Sequence, residues 1–225
     1  MFISAIIPAA GSGVRFGDKK QFKVINGHPL IYHTLKPFLE SNMINEVVVV
    51  ASEQDMGLVK KIILSLKPSK NILVVTGSST RQGSIKNALK SINKKTNVIC
   101  IHDAVRPFVT KKLISRLIKS LQGNDSIIVG KKSTDTLKHV VNSLVEKTLN
   151  REEVWSVQTP QVFHKEVLLD AYEKASNENL IGTDDAALLE KAGYKVKIIE
   201  DNSINFKITT KEDWTIAQAL FSRRN

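Results

Sequence analysis

The sequence predicts an α/β protein with a doubly wound, mainly parallel sheet and an inserted β-hairpin arm. Apolar runs rich in valine and isoleucine recur along the chain, and such runs are typical of strands buried on both faces of a parallel sheet. Amphipathic segments separate these runs and supply the helical crossovers that parallel strands require. This regular alternation indicates helices on both faces of one sheet.

The elements alternate regularly over the first 132 residues. Apolar, β-branched runs predict strands at 2–10, 45–52, 71–78, 97–104 and 125–132. Segments with one apolar face lie between them and predict helices at 28–41, 55–66, 80–92 and 111–122. Later in the chain the same patterns predict helices at 162–177, 183–193 and 211–224, and a strand at 195–201.

Residues 132–155 break this alternation. Apolar and polar residues alternate around Asn142-Ser143, which predicts a β-hairpin rather than another strand–helix unit. The sequence has no internal repeat and no linker, so we expect one domain over residues 1–225 with a protruding arm. Such an arm can pair with another subunit, and we expect a homodimer.

Composition and charge exclude several classes of protein. The net charge of +11 comes mostly from lysines spread along the chain, which indicates a solvated surface or an anionic substrate. No aromatic-interleaved basic stripe, zinc spacing or recognition-helix pattern supports nucleic-acid binding. No apolar run reaches the ~20 residues of a membrane helix, and no secretory signal is evident. The single cysteine, Cys100, lies in an apolar run, so we expect a core residue in a cytoplasmic protein.

A glycine-rich turn follows the first predicted strand, within residues 5–22. Gly11 and Gly13 allow a tight turn that brings backbone N–H groups close to a ligand, and such groups bind anions. The spacing matches neither the dinucleotide fingerprint nor the P-loop, and a plain β–α turn remains an alternative. Arg15 and Lys20 follow closely, and two cations beyond such a turn favour a polyphosphate ligand.

A second group of polar residues ends the predicted strand at 97–104. In open α/β sheets, ligands bind at the carboxyl ends of strands, and His102, Asp103 and Arg106 lie there. Asp103 can bind Mg²⁺ directly or through water. Arg106 can contact the ligand, or it can pair with Asp103 and brace the loop. His102 is a hydrogen-bonding residue more often than a catalyst.

Two further sets of residues are candidates for ligand contacts. The small, polar segment 76–87 can read a base edge through its backbone and Ser84, although a helix N-cap loop explains it equally well. Arg151 and Lys207 lie outside the regular strand–helix pattern and are suited to binding a phosphate monoester, although each alone reads as a solvated charge.

The motifs in their order resemble one family of enzymes. PAAGSGVRFG at 8–17, HDAVRPFV at 102–109 and NREEVWSVQTPQVF at 150–163 resemble the 2-C-methyl-D-erythritol 4-phosphate cytidylyltransferases. The resemblance extends from about residue 3 to residue 218. The related ribitol 5-phosphate cytidylyltransferases tend to have AGG, HDSVRPF and a TDAC-type segment. The segment TDDAALLE and the first two motifs side with the methylerythritol family.

This resemblance implies a Rossmann-like nucleotidyltransferase fold and a reaction. The family joins CTP and 2-C-methyl-D-erythritol 4-phosphate, using Mg²⁺, and releases pyrophosphate. The product, 4-diphosphocytidyl-2-C-methyl-D-erythritol, belongs to non-mevalonate isoprenoid precursor biosynthesis. The partners expected for this chain are therefore CTP, a sugar-alcohol phosphate and a second copy of itself.

The resemblance also assigns the residues of a nucleotide site. The loop that would wrap CTP consists of Pro8, Ala9, Ala10, Gly11 and Gly13. The cytosine-reading segment is matched by Ser79, Arg81 and Ser84. Arg15 and Lys20 match residues that stabilise the pentacoordinate transition state, and Asp103 matches the metal-site carboxylate.

The acceptor site is assigned in the same way. Thr136 and Arg151 match residues of the arm that reaches the neighbouring subunit's site. Arg151 and Lys207 would position the substrate phosphate, Thr159 would lie close to it, and Arg106 is a further candidate for contact with the substrate. Catalysis would thus depend on Arg15, Lys20, Arg151 and Lys207.

The chain departs from the family pattern at three positions. The family usually has proline where Lys19 stands, a second glycine at Ser78 and an acidic residue at Gly83. Lys19 reads as a surface neighbour of Lys20. The changes at Ser78 and Gly83 bear on the contacts to the base, not on the class of reaction.

Overall fold

The computed structural model describes residues 1–14 and 16–223. In chain order the strands are β1 (Phe2–Pro8), β2 (Val24–Ile25), β3 (His28–Pro29), β4 (Glu46–Ala51), β5 (Asn71–Thr76), β6 (Thr96–Ile101), β7 (Ser126–Lys132), β8 (Lys138–Val141), β9 (Leu144–Thr148), β10 (Trp155–His164) and β11 (Val196–Glu200). The helices are α1 (Leu30–Glu40), α2 (Met56–Ser65), α3 (Arg81–Ser91), α4 (Lys111–Ser120), α5 (Lys165–Asn177), α6 (Asp185–Lys191) and α7 (Lys211–Ser222). None of the helices in the described ranges is long and apolar enough to cross a membrane.

The main sheet has seven strands in the order β11-β7-β10-β6-β1-β4-β5. All neighbours in it are parallel except β10, which runs antiparallel to both β6 and β7. The predicted doubly wound, mainly parallel sheet is therefore confirmed. The chain leaves β1 toward β4 on one side, while β6 and β10 lie on the other, so the winding direction reverses beside β1.

The sequence does not predict the strand β10. It predicts a helix from residue 162, whereas residues 162–164 belong to this strand. Residues 158–161 carry two glutamines and Pro160, and a proline usually argues against a central strand. Here the pairing of β10 with β7 shifts register between Gln158 and Gln161, and Pro160 lies within that irregularity. Val162 and Phe163 then continue the strand, fully buried, and the helix begins only at Lys165.

Helices cover both faces of the sheet and create two cores. Ile7 packs on one face in a cluster that includes residues of α1, α2 and α4. Ile6, one residue earlier, packs on the other face with residues of α3, α5 and α6. Cys100 belongs to the first core as predicted, and its burial raises the pKa of the thiol to about 12, so the thiol stays protonated.

A third apolar cluster holds α7 beside the carboxyl ends of β1 and β6. Phe16, Phe108, Ile208 and Trp214 are buried in it, and the Phe16 and Trp214 rings meet edge to face at 5.9 Å. The N-terminus of α7 is fixed by a capping box between Thr210 and Asp213. The loop that leads into α7 is therefore held close to the loops that follow β1 and β6.

The arm is a separate two-stranded sheet of β8 and β9. Asn142 and Ser143 have φ values of 47° and 65°, which a two-residue hairpin turn of the primed type requires at both central positions. The predicted hairpin is therefore present. Its apolar side chains are exposed, with Val140, Leu144 and Val145 at 50, 73 and 61 %.

Candidate active site

A pocket of about 520 Å³ opens at the carboxyl ends of β1 and β6, where the winding of the sheet reverses. Doubly wound sheets bind ligands at this point because the loops of adjacent strands diverge there and leave a crevice. Three chain segments contribute most of the wall: residues 8–14, residues 78–81 and residues 103–105. Lys20, Gln21, Ser84 and Lys207 complete it.

The glycine-rich loop forms one wall of the pocket. Gly13 has a φ of +74°, and a Cβ there would lie 1.9 Å from the Asp18 carbonyl oxygen, so only glycine fits. The Gln21 side-chain amide donates hydrogen bonds to the carbonyl oxygens of Ala9 and Gly11 at 3.0 and 2.8 Å. These two carbonyl oxygens would repel a phosphate, and the hydrogen bonds from Gln21 hold both of them.

Of the two cations predicted beside this loop, Lys20 lies in the part of the chain that the structure describes. Lys20 lines the pocket, is 8 % exposed, and has its Nζ 5.6 Å from the centre of the Phe16 ring. Arg15 lies outside the described residues. The structure thus brings Lys20 to the glycine-rich loop as the sequence predicts.

The predicted base-reading segment is both a pocket wall and a helix cap. Thr80 is the N-cap of α3 and its hydroxyl accepts a hydrogen bond from the Gly83 N–H at 3.0 Å. The buried Ser84 hydroxyl accepts from the Ser78 N–H at 3.0 Å and donates to the Thr80 carbonyl at 2.8 Å. Ser84 therefore holds the loop in shape, and residues 78–80 present its inner surface to the pocket.

The two departures from the family pattern in this loop are coupled. A Cβ added at Gly83 would lie 2.6 Å from the Ser78 Oγ and 2.9 Å from the Ser78 Cβ. Both distances are well inside van der Waals contact, so the Ser78 side chain occupies the space that a side chain at position 83 would need. A larger residue at 83 would therefore require the Ser78 side chain to move.

Asp103 is the electrostatic centre of the pocket. Its Oδ1 lies 3.5 Å from Arg81 Nε, and its Oδ2 lies 3.4 Å from Arg106 Nε and 3.1 Å from Lys207 Nζ. Burial alone would raise the pKa of Asp103, but Arg81, Lys207 and Arg106 outweigh it and hold that pKa well below its usual range. The carboxylate is therefore ionised at any physiological pH, amid an excess of positive charge.

Arg106 and Thr159 lie behind Asp103. Arg106 Nη1 donates to the Asn205 carbonyl at 2.9 Å, and the Thr159 hydroxyl accepts from the Asp103 N–H at 3.1 Å. Both side chains are buried and neither lines the pocket formed by residues 1–14 and 16–223. This placement favours the bracing alternative for Arg106 and puts Thr159 under the carboxylate rather than in the open site.

His102 completes this support as a neutral residue. Its Nε2 lies 3.1 Å from the Arg106 carbonyl, which can only accept, so Nε2 carries the proton and Nδ1 accepts from the Thr159 hydroxyl at 3.0 Å. Full burial lowers the pKa of His102 to about 4. A proton shuttle near neutral pH is therefore excluded, and His102 has the hydrogen-bonding role that the sequence favours.

Asp185 is a functional neighbour that the sequence analysis missed. Its Oδ2 lies 2.8 Å from Arg81 Nη2, and its Oδ1 accepts from the Tyr172 hydroxyl at 2.6 Å. Burial tends to lower the pKa of Arg81, but Asp185 and Asp103 outweigh it and raise that pKa, so the cation is permanent. The sequence points to Asp185 only through the TDDAALLE segment, which resembles the family pattern but does not predict the contact between Asp185 and Arg81.

The arm residues lie apart from the pocket of their own chain. Thr136 and Arg151 are exposed, and neither lines the pocket in the part of the chain that the structure describes. Arg151 begins a single 3-10 turn, Arg151–Glu153, next to an exposed ion pair between Lys132 and Glu152 at 3.2 Å. A role for Thr136 and Arg151 in a neighbouring subunit's site stays a prediction.

A switch-point pocket that combines a glycine-rich loop with lysine and arginine side chains is suited to binding the phosphates of a nucleotide. The class of protein is that of the α/β nucleotidyltransferases. The family model for 2-C-methyl-D-erythritol 4-phosphate cytidylyltransferase matches residues 3–223 of this chain. The chain belongs to this family of enzymes.

Individual relatives agree over the full length. The enzyme of this name from Halalkalibacterium halodurans is 38 % identical, over 100 % of this chain and 99 % of the relative. The crystal structure of 4-diphosphocytidyl-2C-methyl-D-erythritol synthase from Anaerococcus prevotii is 36 % identical, with a TM-score of 0.89 and 99 % of each chain covered. The cytidylyltransferase structure from Thermus thermophilus is 29 % identical, with a TM-score of 0.81, covering 99 % of this chain and 100 % of that one. The family resemblance read from the sequence is confirmed.

Proposed function

We propose that this chain joins CTP and 2-C-methyl-D-erythritol 4-phosphate to give 4-diphosphocytidyl-2-C-methyl-D-erythritol and pyrophosphate. The observation that carries the proposal is the convergence of Lys20, Asp103 and Lys207 on one pocket beside the glycine-rich loop. Two lysines from distant parts of the chain suit a reaction between two phosphate anions. Family membership supports cytosine as the base of the nucleotide and 2-C-methyl-D-erythritol 4-phosphate as the acceptor. This reaction is a step in isoprenoid precursor biosynthesis.

The reaction needs charge neutralisation more than proton transfer. An oxygen of the acceptor's phosphate monoester attacks the α-phosphorus of CTP and forms a new P–O bond. The bond from the α-phosphorus to the bridging oxygen breaks, and pyrophosphate leaves with the electron pair. The attacking phosphate is already deprotonated near neutral pH, so no general base is required. Lys20 offsets negative charge on the triphosphate, together with Arg15, whose role the family resemblance implies. Lys207 orients the acceptor phosphate.

Magnesium is the proposed cofactor, and Asp103 is the residue that would hold it. Residues 1–14 and 16–223 contain no cluster of three or more potential metal-binding His, Cys, Asp or Glu side chains. One carboxylate suits Mg²⁺, which is commonly held by one or two carboxylates together with substrate phosphates and water. When bound, the ion would offset negative charge on the triphosphate. The permanently ionised Asp103 fits this role.

A homodimer in the cytoplasm is the proposed working form. Four residues of the arm's two strands expose large apolar side chains: Val140, Val141, Leu144 and Val145. Covering them against a second copy would remove apolar surface from water. The same contact would carry Thr136 and Arg151 away from their own chain toward the other subunit's pocket.

The direct test is pyrophosphate release when the protein is mixed with CTP, Mg²⁺ and 2-C-methyl-D-erythritol 4-phosphate. We expect release only with all three present, and much slower release with ribitol 5-phosphate or with ATP. Efficient turnover of another polyol phosphate would reassign the acceptor. Binding of CTP without any turnover would instead indicate a nucleotide-binding regulatory module on the same fold.

Replacing Arg151 with alanine is expected to raise the KM for the acceptor by about 10- to 100-fold, since a hydrogen-bonded charge contact to the phosphate is lost. The KM for CTP should change little. Steady-state kinetics with each substrate varied in turn would measure both constants. An unchanged KM for the acceptor would remove Arg151 from the site.

Mixing two impaired variants, assayed at an acceptor concentration well below the raised KM of Arg151→Ala, tests which chain supplies Arg151. If the arm serves the other subunit, mixtures of Lys20→Ala and Arg151→Ala chains form heterodimers with one intact site, and about a quarter of wild-type activity returns. Mixtures of each variant with a second inactive chain carrying both substitutions provide the control. Absence of recovery in the first mixture would place the arm on its own subunit.

A further inference from the structure

An ion pair links the residue before Lys20 to a neighbouring strand–helix junction. Lys19 Nζ lies 2.8 and 2.7 Å from the two carboxylate oxygens of Asp55. The Asp55 side chain is 12 % exposed and Lys19 is 36 % exposed, so the pair is partly shielded from solvent. Ser52 donates a further hydrogen bond to Asp55. Lys19 is therefore partly exposed, as a surface neighbour of Lys20 would be, and the ion pair also fixes its side chain.

The Asp55 end of this pair is anchored on the sheet. Asp55 lies in the single turn Glu53–Asp55 that follows β4 directly. The last residues of β4 pair with β1, and the Ala9 N–H donates to the Val50 carbonyl at 2.7 Å. The carboxylate that holds Lys19 is thus attached to the same rigid edge as the glycine-rich loop.

The residue after Lys20 is anchored as well. Gln21 donates to the carbonyl oxygens of Ala9 and Gly11 on the glycine-rich loop. Lys20 therefore lies between two fixed neighbours, one tied to the β4–α2 junction and one tied to the loop after β1. Its own N–H donates to the Asp18 carbonyl at 2.8 Å, which fixes the start of the turn Lys20–Phe22.

We propose that Lys19 and Asp55 form a positioning device for Lys20, which the Lys19–Asp55 ion pair holds at the triphosphate during cytidylyl transfer. This inference rests on the proposed function, because Lys20 needs a fixed place only if charge develops beside it. Precise placement of a cation matters most in the transition state, since charge builds there over a short distance. Asp55 is suited to the task because its carboxylate stays ionised: burial tends to raise its pKa, but Lys19 and Ser52 lower it overall.

The test compares three variants in the CTP reaction: Lys19→Met, Asp55→Asn and the double substitution. We expect each single change to lower kcat by about tenfold with the KM for CTP nearly unchanged, because a displaced cation loses transition-state contact. The double variant should be no worse than either single one, since all three lack the same pair. Lys174→Met is the matched control, because Lys174 pairs with Asp170 at 2.8 Å on α5, outside the pocket.

A proline at position 19 separates positioning from simple stabilisation. Lys19 has a φ of −73°, which proline fixes without an ion pair, at the loss of the local hydrogen bond from the Lys19 N–H to Asp18 Oδ1 at 2.6 Å. In the Asp55→Asn background, Lys19→Pro is therefore expected to restore kcat, whereas Lys19→Met is not. Thermal unfolding of every variant would show whether changes in kcat follow changes in Tm.

The outcomes separate this inference from the proposed function. A wild-type protein that turns over CTP while Lys19→Met and Asp55→Asn keep wild-type kcat would overturn the positioning role and leave the proposed function intact. Losses in kcat that follow Tm would likewise overturn it, as would no recovery with Lys19→Pro in a variant whose Tm is unchanged. An inactive wild-type protein would overturn the proposed function and this inference together.

Discussion

Replacing Lys20 with alanine is expected to lower kcat by about 100- to 1000-fold, while the Kd for CTP changes far less. Lys20 is 8 % exposed and lines the pocket beside the glycine-rich loop, so its charge acts in a medium that screens weakly. In the proposed site the triphosphate of CTP would already have the loop as a partner. The charge that builds during transfer would be stabilised chiefly by the cation fixed beside it. Single-turnover rates and CTP titration would measure the two quantities separately.

Lys23→Ala provides the control for that experiment. Lys23 is three residues away, does not line the pocket within the described ranges, and rests over the Trp214 ring at 4.9 Å. It should keep kcat and Kd near their wild-type values. Equal losses of kcat and CTP affinity in Lys20→Ala would assign Lys20 to ground-state binding and contradict the transition-state role.

Asp103→Asn is expected to have the second large effect, on activity and on stability together. The substitution leaves the buried Arg106 without its carboxylate partner, and breaking a buried pairing costs about 3–5 kcal/mol. Arg81 keeps Asp185, and Lys207 is partly exposed, so their contributions are smaller. It also removes the proposed magnesium ligand, so turnover should fall by about 100-fold or more and require more Mg²⁺. Urea unfolding and a magnesium titration of the rate would measure the two effects.

The pH dependence of stability gives an independent check on Asp103. The pKa of Asp103 is lower in the folded state than its ordinary value of 3.8, so the unfolded chain binds the proton more readily. The stabilisation is therefore fully present above pH 3.8 and is lost only as the pH falls toward the lower folded value. The stability difference between wild type and Asp103→Asn should be constant from neutral pH down to that point. A difference that shrinks already between pH 7 and 5 would contradict it, and Asp170→Asn on the surface of α5 is the matched control.

Local pattern was enough to predict most of the fold. Val47 to Val50 are fully buried because β4 has helices on both of its faces, and that burial is what their unbroken apolar run predicts. The hairpin was predictable because Asn142-Ser143 meets the backbone demand of its turn. The strand β10 was not predictable, because Pro160, with Gln158 and Gln161 nearby, is typical of a loop, and the register shift against β7 that accommodates it is not visible in the sequence.

The site was predictable residue by residue but not as a set of contacts. Lys20, Asp103 and Lys207 each stand out because a charge follows an apolar strand or interrupts the regular pattern. Their pairing depends on the fold: Arg81 meets Asp185 across 104 positions, and Lys19 meets Asp55 across 36. Nothing local in either sequence segment indicates those partners, since the contacts exist only after the strands are ordered in the sheet.

The steric relation between Ser78 and Gly83 limits what can be changed in this loop. A Cβ at position 83 would lie 2.6 Å from the Ser78 Oγ, so any larger residue at 83 must displace the Ser78 side chain. Ser78 lines the pocket, and a change at Gly83 would therefore reach the ligand through Ser78 although Gly83 itself does not line the pocket in the part of the chain that the structure describes.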